Sequence, residues 1–419
     1  MKIFPEEINF KLPHQKLNLM SKSIFFTGQP IFSQVLSYIP KSTVDQISSD
    51  NAADRYCKHF TSYGHLVSML YAVFNNCTSI RELTTGLLAW DQKIKHLGVD
   101  YFPRRSTLSD ANNRRSEVVF GQIYHFLYQR YRHLLPDSRK GKSSKLYIAD
   151  STTVSLFQEV MRNAGRPAAN GKRKGGIKVH TLMRSDEDVP CLVRFTAAAA
   201  HDSPFLNQLE LPKGSILVFD KGYNDFAQFE RFSSQGVTWV TRKRKGTVYR
   251  VTEKLPIGSA QQSRGVQRDK LVVLGHRQYE HPLASARLIH FTDPLSGKKF
   301  QFLTNNTKLA PATIAAIYRK RWQIEILFKR FKENYPLRYF LGDSENAIKI
   351  QIWCVLIADL IIKLVKSLAG RKWSFSNLAS IIRIHLMTYI DLFDFLKNPE
   401  KSLFKRSSFI NQQGHLFPT

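Results

Sequence analysis

Residues 145–150 read KLYIAD and residues 215–220 read SILVFD. Each is a short apolar run that ends in an aspartate, and this pattern predicts two buried strands. Asp150 and Asp220 would then lie at the carboxyl ends of these strands, where open α/β sheets bind their ligands. Two neighbouring carboxylates repel each other unless a cation lies between them, and ligation by oxygen alone suits Mg²⁺ or Mn²⁺. The alternative is that each aspartate caps a turn after its strand.

Further strands and helices are predicted around these two runs. The strands are IKVHTLM (177–183), PCLVRFTA (190–197) and VTWVTR (237–242). One helix is predicted after HDSPFLNQL, with Ser203 as its N-cap and Pro204 as its first residue. Another is predicted over residues 224–236 and ends at Gly236. The order of these elements predicts a mixed α/β sheet with helices packed on it.

A long helix is predicted over residues 308–334, and it carries a distinctive set of polar residues. Tyr318, Arg321, Glu325 and Lys332 fall within roughly 60° of arc at about 100° per residue. This face could point one carboxylate at the metal site, with a phenol and two cations beside it. The alternative is a solvated basic helix with incidental i, i+4 pairs.

The regions outside this core have distinct characters. Residues 1–135 are predicted to be helical, and Ser79 and Glu82 fit a capping box. The basic segment 104–115 follows two short helices and resembles the end of a helix-turn-helix, although a plain helical bundle with a basic surface is an equal alternative. Residues 243–300 hold short β-like runs and predict a small basic insertion, and the chain beyond residue 345 is helical and apolar.

The charge balance points to a polyanionic partner. The chain has 62 Lys and Arg against 33 Asp and Glu, a formal net charge of +29. Nucleic acid is the first candidate for this partner. A membrane surface, the second candidate, is not expected. The first twenty residues have no apolar run of signal-peptide length, and the most apolar stretch, 350–370, contains Asp359 and Lys363.

Several other kinds of site are excluded by residue spacing. The segment GRPAANGKR (165–173) is not a phosphate-binding P-loop, because Arg173 stands where Ser or Thr must bind magnesium. The cysteines form no CxxC pair, so neither a zinc site nor a disulfide framework is expected. They are Cys57, Cys77, Cys191 and Cys354.

The spacing Tyr-x2-Arg-x3-Glu-x6-Lys, from Tyr318 to Lys332, resembles the YREK signature of one large group of bacterial insertion-sequence transposases. This group is insertion-sequence family four, within the DDE superfamily. Further blocks resemble the group along nearly the whole chain, among them DSTTVSL (150–156), HDS (201–203) and DKGY (220–223). The group usually has an arginine after its second aspartate. Here Lys221 keeps the charge but loses the bidentate fork.

The resemblance implies a ribonuclease-H-like mixed sheet flanked by helices, in an α/β (α+β) fold. Asp150, Asp220 and Glu325 would be the catalytic metal-binding triad. The implied divisions are a helical N-terminal DNA-binding domain (1–135), a catalytic core (145–242 and 301–345), a basic β-rich insertion (243–300) and a helical C-terminal region (346–419).

The resemblance also implies the partners and the setting. Such enzymes act as homodimers on double-stranded DNA. They bind the terminal inverted repeats of their element, cut the ends free and join them to target DNA. Mg²⁺ is the implied cofactor, with Mn²⁺ as a substitute, and the expected location is the bacterial cytoplasm, on the nucleoid.

The expected DNA contacts come from the signature helix and from basic clusters. They are Tyr318, Arg321, Lys332, Lys221, Trp322, Lys172, Arg173, Lys174, Arg242, Lys243, Arg104 and Arg105. Trp322 and Trp239 could stack on an extruded base, but the core is the more common place for a tryptophan. His180 and His201 could be metal ligands or general bases, but a hydrogen-bonded structural role is more common. His201 and Asp202 are expected to brace a helix start near the active site.

Two other functions stay open from the sequence. One is a transposase-derived DNA-binding protein that does not cleave DNA. The other is a nuclease with the same core that does not transfer strands.

Overall fold

The computed structural model describes residues 28–135, 145–155, 176–275 and 284–400. The chain divides into two compact units. The sheet unit is Tyr124–Leu356, and the helical unit combines the described residues before Tyr124 with those after Leu356. The boundaries fall inside two helices, α6 (Glu117–Tyr131) and α11 (Glu345–Leu368).

The described strands of the sheet unit form a single sheet. They are β1 (Leu146–Ser155), β2 (Gly176–Arg184), β3 (Pro190–Ala197), β4 (Ile216–Phe219), β5 (Thr238–Arg242), β6 (Tyr249–Lys254), β7 (Val266–Leu274), β8 (Ala284–Thr292) and β9 (Lys299–Thr304). Their order is 3-2-1-4-5-9-8-7-6. β1 to β3 pair antiparallel, while β4 pairs parallel with β1 and with β5. This is the ribonuclease-H-like arrangement, and the predicted mixed sheet is confirmed.

The predicted insertion lengthens the same sheet. β6 to β9 form an antiparallel meander, and β9 pairs antiparallel with β5. β9 lies across residue 300, where the sequence suggested a boundary. The short helix α8 (Ser259–Gln262) lies between β6 and β7.

The two faces of the sheet explain the alternation of apolar residues. Leu217 and Phe219 of β4 pack on one face together with α7 (Phe226–Ser234), while Val218 packs on the other. Trp239 is fully buried in the first core and stacks on Phe229, with ring centroids 4.1 Å apart. The core interpretation of Trp239 is confirmed, and stacking of this residue on DNA is wrong because its ring is enclosed.

The predicted single helix over 308–334 is wrong. It is divided into α9 (Pro311–Arg319) and α10 (Trp322–Asn334). At the break, the N–H groups of Lys320 and Arg321 donate to carbonyls three residues back, which tightens the turn. The signature residues therefore come from two short helices rather than from one straight face.

The helix predicted to begin at Ser203 is a 3₁₀ helix, Ser203–Gln208, with Asp202 in the N-cap position. The Phe205 N–H donates to the Asp202 carbonyl at 3.1 Å, so the turn starts one residue earlier than expected. Pro204 lies in the first turn as predicted. The predicted helix ending near Gly236 is confirmed as α7, and Gly236 has a φ of +71°.

The helical unit contains short helices that come before the sheet unit in the sequence and others that come after it. They are α1 (Ile31–Leu36), α2 (Lys41–Asp50), α3 (Ser62–Asn75), α4 (Ile80–Leu88), α5 (Arg105–Arg114), α12 (Phe375–Ile384) and α13 (Leu392–Lys397). Ser79 Oγ accepts a hydrogen bond from the Glu82 N–H at 3.1 Å. The Glu82 carboxylate accepts from the Thr78 N–H, so the predicted capping box closes one residue earlier than expected.

The apolar stretch 350–370 lies mostly in α11 and is largely buried, including Asp359 and Lys363. No helix in the described part of the chain has both the length and the hydropathy needed to cross a membrane. Three of the predicted DNA contacts, Lys172, Arg173 and Lys174, lie outside the described residues.

Candidate active site

Asp150 and Asp220 lie beside each other at one edge of the sheet. β1 and β4 run parallel, and Ala149 is opposite Phe219 in the register, so the two aspartates are the next residues on neighbouring strands. Ala149 and Phe219 both pack in the core on the α7 face. Strand side chains alternate between faces, so both aspartates turn to the opposite face, which α9 covers.

Arg321 connects the first aspartate to the glutamate of α10. Its Nη1 donates to Asp150 Oδ2 at 2.8 Å, and its Nη2 donates to Glu325 Oε1 in a very short contact. The Arg321 side chain is only 15% exposed, which strengthens charge-assisted bonds of this kind. The break between α9 and α10 places Arg321 at the start of α10, one turn before Glu325.

Asp220 has its own pair of polar neighbours. Arg242 Nη2, at the end of β5, donates to Asp220 Oδ1 at 2.8 Å. The Tyr318 hydroxyl lies 3.5 Å from the same oxygen. The guanidinium carbons of Arg242 and Arg321 stand 5.7 and 5.9 Å from the Tyr318 ring centroid, so the phenol lies between two cations.

Burial and charge set the protonation of these groups. Burial, opposed by Arg321 and reinforced by the Asp220 and Glu325 charges, raises the pKa of Asp150 to about 6. Burial also acts on Asp220, but the hydrogen bond and charge of Arg242 outweigh it and lower the pKa of that carboxyl. Burial raises the pKa of Tyr318 to about 12, so the phenol stays protonated.

The three acidic side chains are chemically suitable ligands for a hard divalent cation. The three acidic groups offer only carboxylate oxygens, and the Asp220 and Glu325 charges reach Asp150 strongly enough to change its pKa. In the described part of the chain, however, no three His, Cys, Asp or Glu side chains are grouped closely enough to hold a metal ion. One oxygen of each of the three acidic groups accepts a hydrogen bond from Arg242 or Arg321 instead.

Comparison with known families decides the identity of this chain. The family described as the transposase DDE domain matches residues 141–360, more than half of the chain. The chain belongs to the DDE transposase family. A second family, described as a domain of unknown function (DUF4372), matches residues 27–100.

Two bacterial relatives, identified by sequence similarity, agree with this assignment. A putative transposase y4zB of Sinorhizobium fredii is 28% identical over 268 residues, covering 64% of this chain and 72% of the relative. A putative transposase for insertion sequence element IS4SA of Synechocystis is 27% identical over 266 residues, covering 62% and 71%. A piggyBac transposase synaptic complex with hairpin DNA, solved by cryo-electron microscopy, is similar with a TM-score of 0.40 at 12% identity, covering 94% of this chain and 84% of that one. As a DDE transposase, the protein catalyses metal-dependent DNA cleavage and strand transfer.

Asp202 lies near the candidate site, and the sequence alone did not predict its contacts. Its carboxylate accepts from Ser151 Oγ and pairs with Lys178 Nζ, both at 3.1 Å. It also lies close to Gly222, whose Cα would place a Cβ 3.4 Å from Asp202 Oδ2. Asp202 thus connects the residue after Asp150 to the loop after Asp220. The tripeptide HDS marked the position, but sequence distance alone could not reveal these partners.

His180 and His201, the two histidines considered as metal ligands or general bases, differ in burial. His180 is buried, and its ring nitrogens lie 2.8 Å from Thr196 Oγ1 and 3.2 Å from the Tyr223 hydroxyl. Burial lowers the pKa of His180 to about 4, so the ring is neutral, as fits a hydrogen-bonded structural histidine. His201 is exposed.

The other predicted DNA contacts lie at the surface or at its edge. Trp322 is 65% exposed, which contradicts the core interpretation of this residue: it is the first residue of α10, at the helix break. Lys332 is exposed and lines a cavity of about 370 Å³ together with Thr152 and Phe328. Lys221, Arg104 and Arg105 are exposed, and Lys243 is half-buried with its ammonium 5.6 Å from the Tyr249 ring centroid.

Proposed function

We propose that Asp150, Asp220 and Glu325 form the metal-binding triad of this transposase, with Mg²⁺ as the ion and Mn²⁺ as a substitute. The observation that supports this most strongly is the side chain of Arg321. It joins Asp150 of β1 to Glu325 of α10, although the β-rich insertion separates these elements in sequence. Arg321 thus contacts two of the three carboxylates, and the charge of the third, Asp220, also acts on Asp150.

The residues around the triad would handle the DNA backbone. When bound, divalent cations activate an attacking oxygen and stabilise the leaving one in phosphodiester displacement. Arg321 and Arg242 neutralise the carboxylates in the free protein, and both are of a type that can hold a phosphate in a bidentate way. Lys332 would hold a phosphate beside the scissile bond. Tyr318 keeps its proton and would donate a hydrogen bond to the DNA backbone.

The proposal extends to the DNA that the protein binds, its oligomeric state and its location. The protein binds the terminal inverted repeats of its element through the helical N-terminal domain (1–135) and joins them to target DNA, as a homodimer on the bacterial nucleoid. The core, insertion and C-terminal divisions expected from the sequence belong to this proposal. So does membership of the YREK group.

The test uses DNA taken from the ends of the element that carries this gene. Labelled end duplexes are incubated with Mg²⁺ and either the wild type or Asp220→Asn, and denaturing gels resolve nicks, hairpins and joined products. We expect cleavage at the repeat boundary by the wild type alone, with equal DNA binding by both proteins. Binding without cleavage by the wild type, in both Mg²⁺ and Mn²⁺, would point instead to a DNA-binding derivative.

A further inference from the structure

The loop between α2 and α3 holds a tyrosine in a costly backbone conformation. The Cys57 N–H donates to the Asp54 carbonyl at 3.0 Å, which closes a four-residue turn from Asp54 to Cys57. Tyr56 is the third residue of this turn and has a φ of +65°. Glycine and asparagine take that position readily, whereas a bulky side chain there is strained.

The base of this loop is held firmly by buried contacts. The Asp54 carboxylate accepts from the Ser62 N–H at 2.8 Å and pairs with the buried Arg115 at 3.1 Å. The Arg115 guanidinium also donates to the Phe60 carbonyl and lies 5.2 Å from the Phe60 ring centroid. Arg115 directly follows α5, the helix that begins at Arg105.

The tip of the loop is exposed and basic. Tyr56 is 87% exposed, and the guanidinium of Arg55 lies 5.0 Å from its ring centroid. Lys58 is also exposed, and the sequence contains no acidic residue from position 55 to position 81. The loop therefore presents the Tyr56 ring to solvent beside two cations, while its base is fixed by the contacts of Asp54.

We propose that Tyr56 is a DNA-contacting residue, whose ring packs against the bases or sugars of a duplex while Arg55 and Lys58 bind phosphates. The strain is unexplained by the fold, because a glycine at position 56 would close the same turn without it. Aromatic rings stack on bases with little sequence preference, and arginine adds to such stacking. Two copies of so basic a loop would repel each other, so a polyanion fits better than a second copy of this chain.

This inference rests on the proposed DNA binding of the N-terminal domain, but not on the proposed triad. The experiment therefore measures binding in EDTA, where no cleavage occurs. Fluorescence anisotropy with a labelled repeat duplex, and with a scrambled duplex of equal length, compares the full-length wild type with Tyr56→Gly, Tyr56→Asn and Tyr56→Phe. Ala52→Gly is the matched control, because Ala52 lies in the same loop with a φ of +49°.

The expected results separate stability from binding. Tyr56→Gly and Tyr56→Asn relieve the strain, so their Tm should stay level or rise by about 2 °C, while their affinity for the duplex falls about tenfold. Ala52→Gly should raise the Tm without changing affinity, and Tyr56→Phe, which keeps the ring, should bind within about twofold of the wild type. Tyr56→Gly should keep the wild-type salt slope, whereas Arg55→Gln and Lys58→Gln should each lower it by about 0.9.

Three outcomes would overturn the proposal. The first is that Tyr56→Gly and Tyr56→Asn bind the duplex as tightly as the wild type does. If light scattering also shows that these variants have lost self-association, the ring makes a protein contact instead. The second is that Tyr56→Phe loses as much affinity as Tyr56→Gly, which would assign the contact to the hydroxyl. The third is a wild type that binds neither duplex, and this would overturn the proposed end recognition as well.

Discussion

Arg321 illustrates how one residue organises the site. It contacts two carboxylates that come from different elements, and its planar fork allows both bonds at once. A lysine at this position would keep the charge but could not reach both oxygens with fixed geometry. The pattern Tyr-x2-Arg-x3-Glu-x6-Lys identified Arg321 as a functional candidate, but only the fold reveals that it faces Asp150.

Lys332→Ala should lower DNA cleavage more than DNA binding. Lys332 is exposed, so its loss should leave the fold intact. We expect a loss of cleavage on the order of tenfold to a hundredfold, with less than a threefold change in affinity, if it holds the phosphate next to the reacting one. Single-turnover cleavage and anisotropy on the same end duplex measure the two effects. Lys329→Ala, on the same helix, is the control, and an equal loss of cleavage and binding in Lys332→Ala would make Lys332 a docking residue.

Some residues of the candidate site could be predicted from the sequence and others could not. Asp150 and Asp220 could be predicted as candidates because each ends an apolar run, and these two runs form adjacent parallel strands. Asp202 was noticed but its partners were not, because contacts with Ser151 and Lys178 depend on the antiparallel return of β2 and β3. The sequence offers no signal that separates Trp239 from Trp322. Trp239 is enclosed by α7, whereas Trp322 begins a helix at the surface.

At the scale of elements, a buried ion pair connects the predicted insertion to the start of α9. Arg287 of β8 donates to Asp269 of β7 at 2.8 and 2.6 Å, and it also donates to the Leu309 carbonyl at 2.6 Å, just before α9. The pair therefore joins two strands of the insertion to the start of the helix that carries Tyr318. Sequence reasoning found the strands but not this connection, because neither residue belongs to a motif.

Asp269→Asn should destabilise the protein severely. It leaves the buried Arg287 charge without its carboxylate partner, which costs about 3–5 kcal/mol in the free energy of unfolding. Urea denaturation followed by circular dichroism measures the change. Asp110→Asn removes an exposed pair with Arg114 and should cost under about 1 kcal/mol. A similarly small loss for Asp269→Asn would show that the pair is dispensable.

Helix α3 gives the stability a pH dependence through His65. His65 is fully buried, its Nε2 lies 2.8 Å from Asn112 Oδ1, and burial together with the Arg115 charge lowers its pKa to about 3. Below pH 6.5 the unfolded chain protonates this histidine while the folded chain does not. Stability should therefore fall with decreasing pH, by up to about 1.4 kcal/mol per pH unit between pH 6.5 and 3.

His65→Gln should remove that part of the pH dependence. The difference in unfolding free energy between the wild type and His65→Gln, measured in urea from pH 7 to pH 4.5, should shrink steadily as the pH falls. His96→Gln, at an exposed position, is the control and should run parallel to the wild type. If the His65→Gln curve also stays parallel to the wild type, His65 is not the group that takes up the proton on unfolding.

At the scale of the whole molecule, the net charge of +29 predicts that DNA affinity falls steeply as the salt concentration rises. Each phosphate neutralised by Lys or Arg adds about 0.9 to the slope of log affinity against log salt. The exposed Arg104 and Arg105 lie at the start of α5, so replacing both by glutamine should lower the slope by about 2. Anisotropy titrations on the repeat duplex at several salt concentrations measure this, with the exposed Lys397→Gln as the control. An unchanged slope would show that Arg104 and Arg105, at the start of α5, do not contact DNA phosphates.

Point substitutions test end recognition better than removal of residues 1–135. The helical unit draws on residues beyond Leu356 as well as on the N-terminal ones, so a deletion would strip α12 and α13 of their packing partners. The sequence predicts separate N-terminal and C-terminal helical regions, because the predicted strands lie between them along the chain. A preference for element ends that survives the change at Arg104 and Arg105 would place recognition elsewhere.

The central claim is that Asp220 and its two acidic neighbours bind the catalytic metal, and a change of metal preference tests it most directly. Asp220→Cys replaces a hard oxygen ligand with a softer thiolate, which tolerates Mn²⁺ better than Mg²⁺. We predict that this variant fails to cleave end DNA in Mg²⁺ and regains measurable cleavage in Mn²⁺, while Asp202→Cys, away from the proposed metal, loses activity equally with both ions. Asp220→Cys activity that is the same with either ion, including none with both, would contradict the claim.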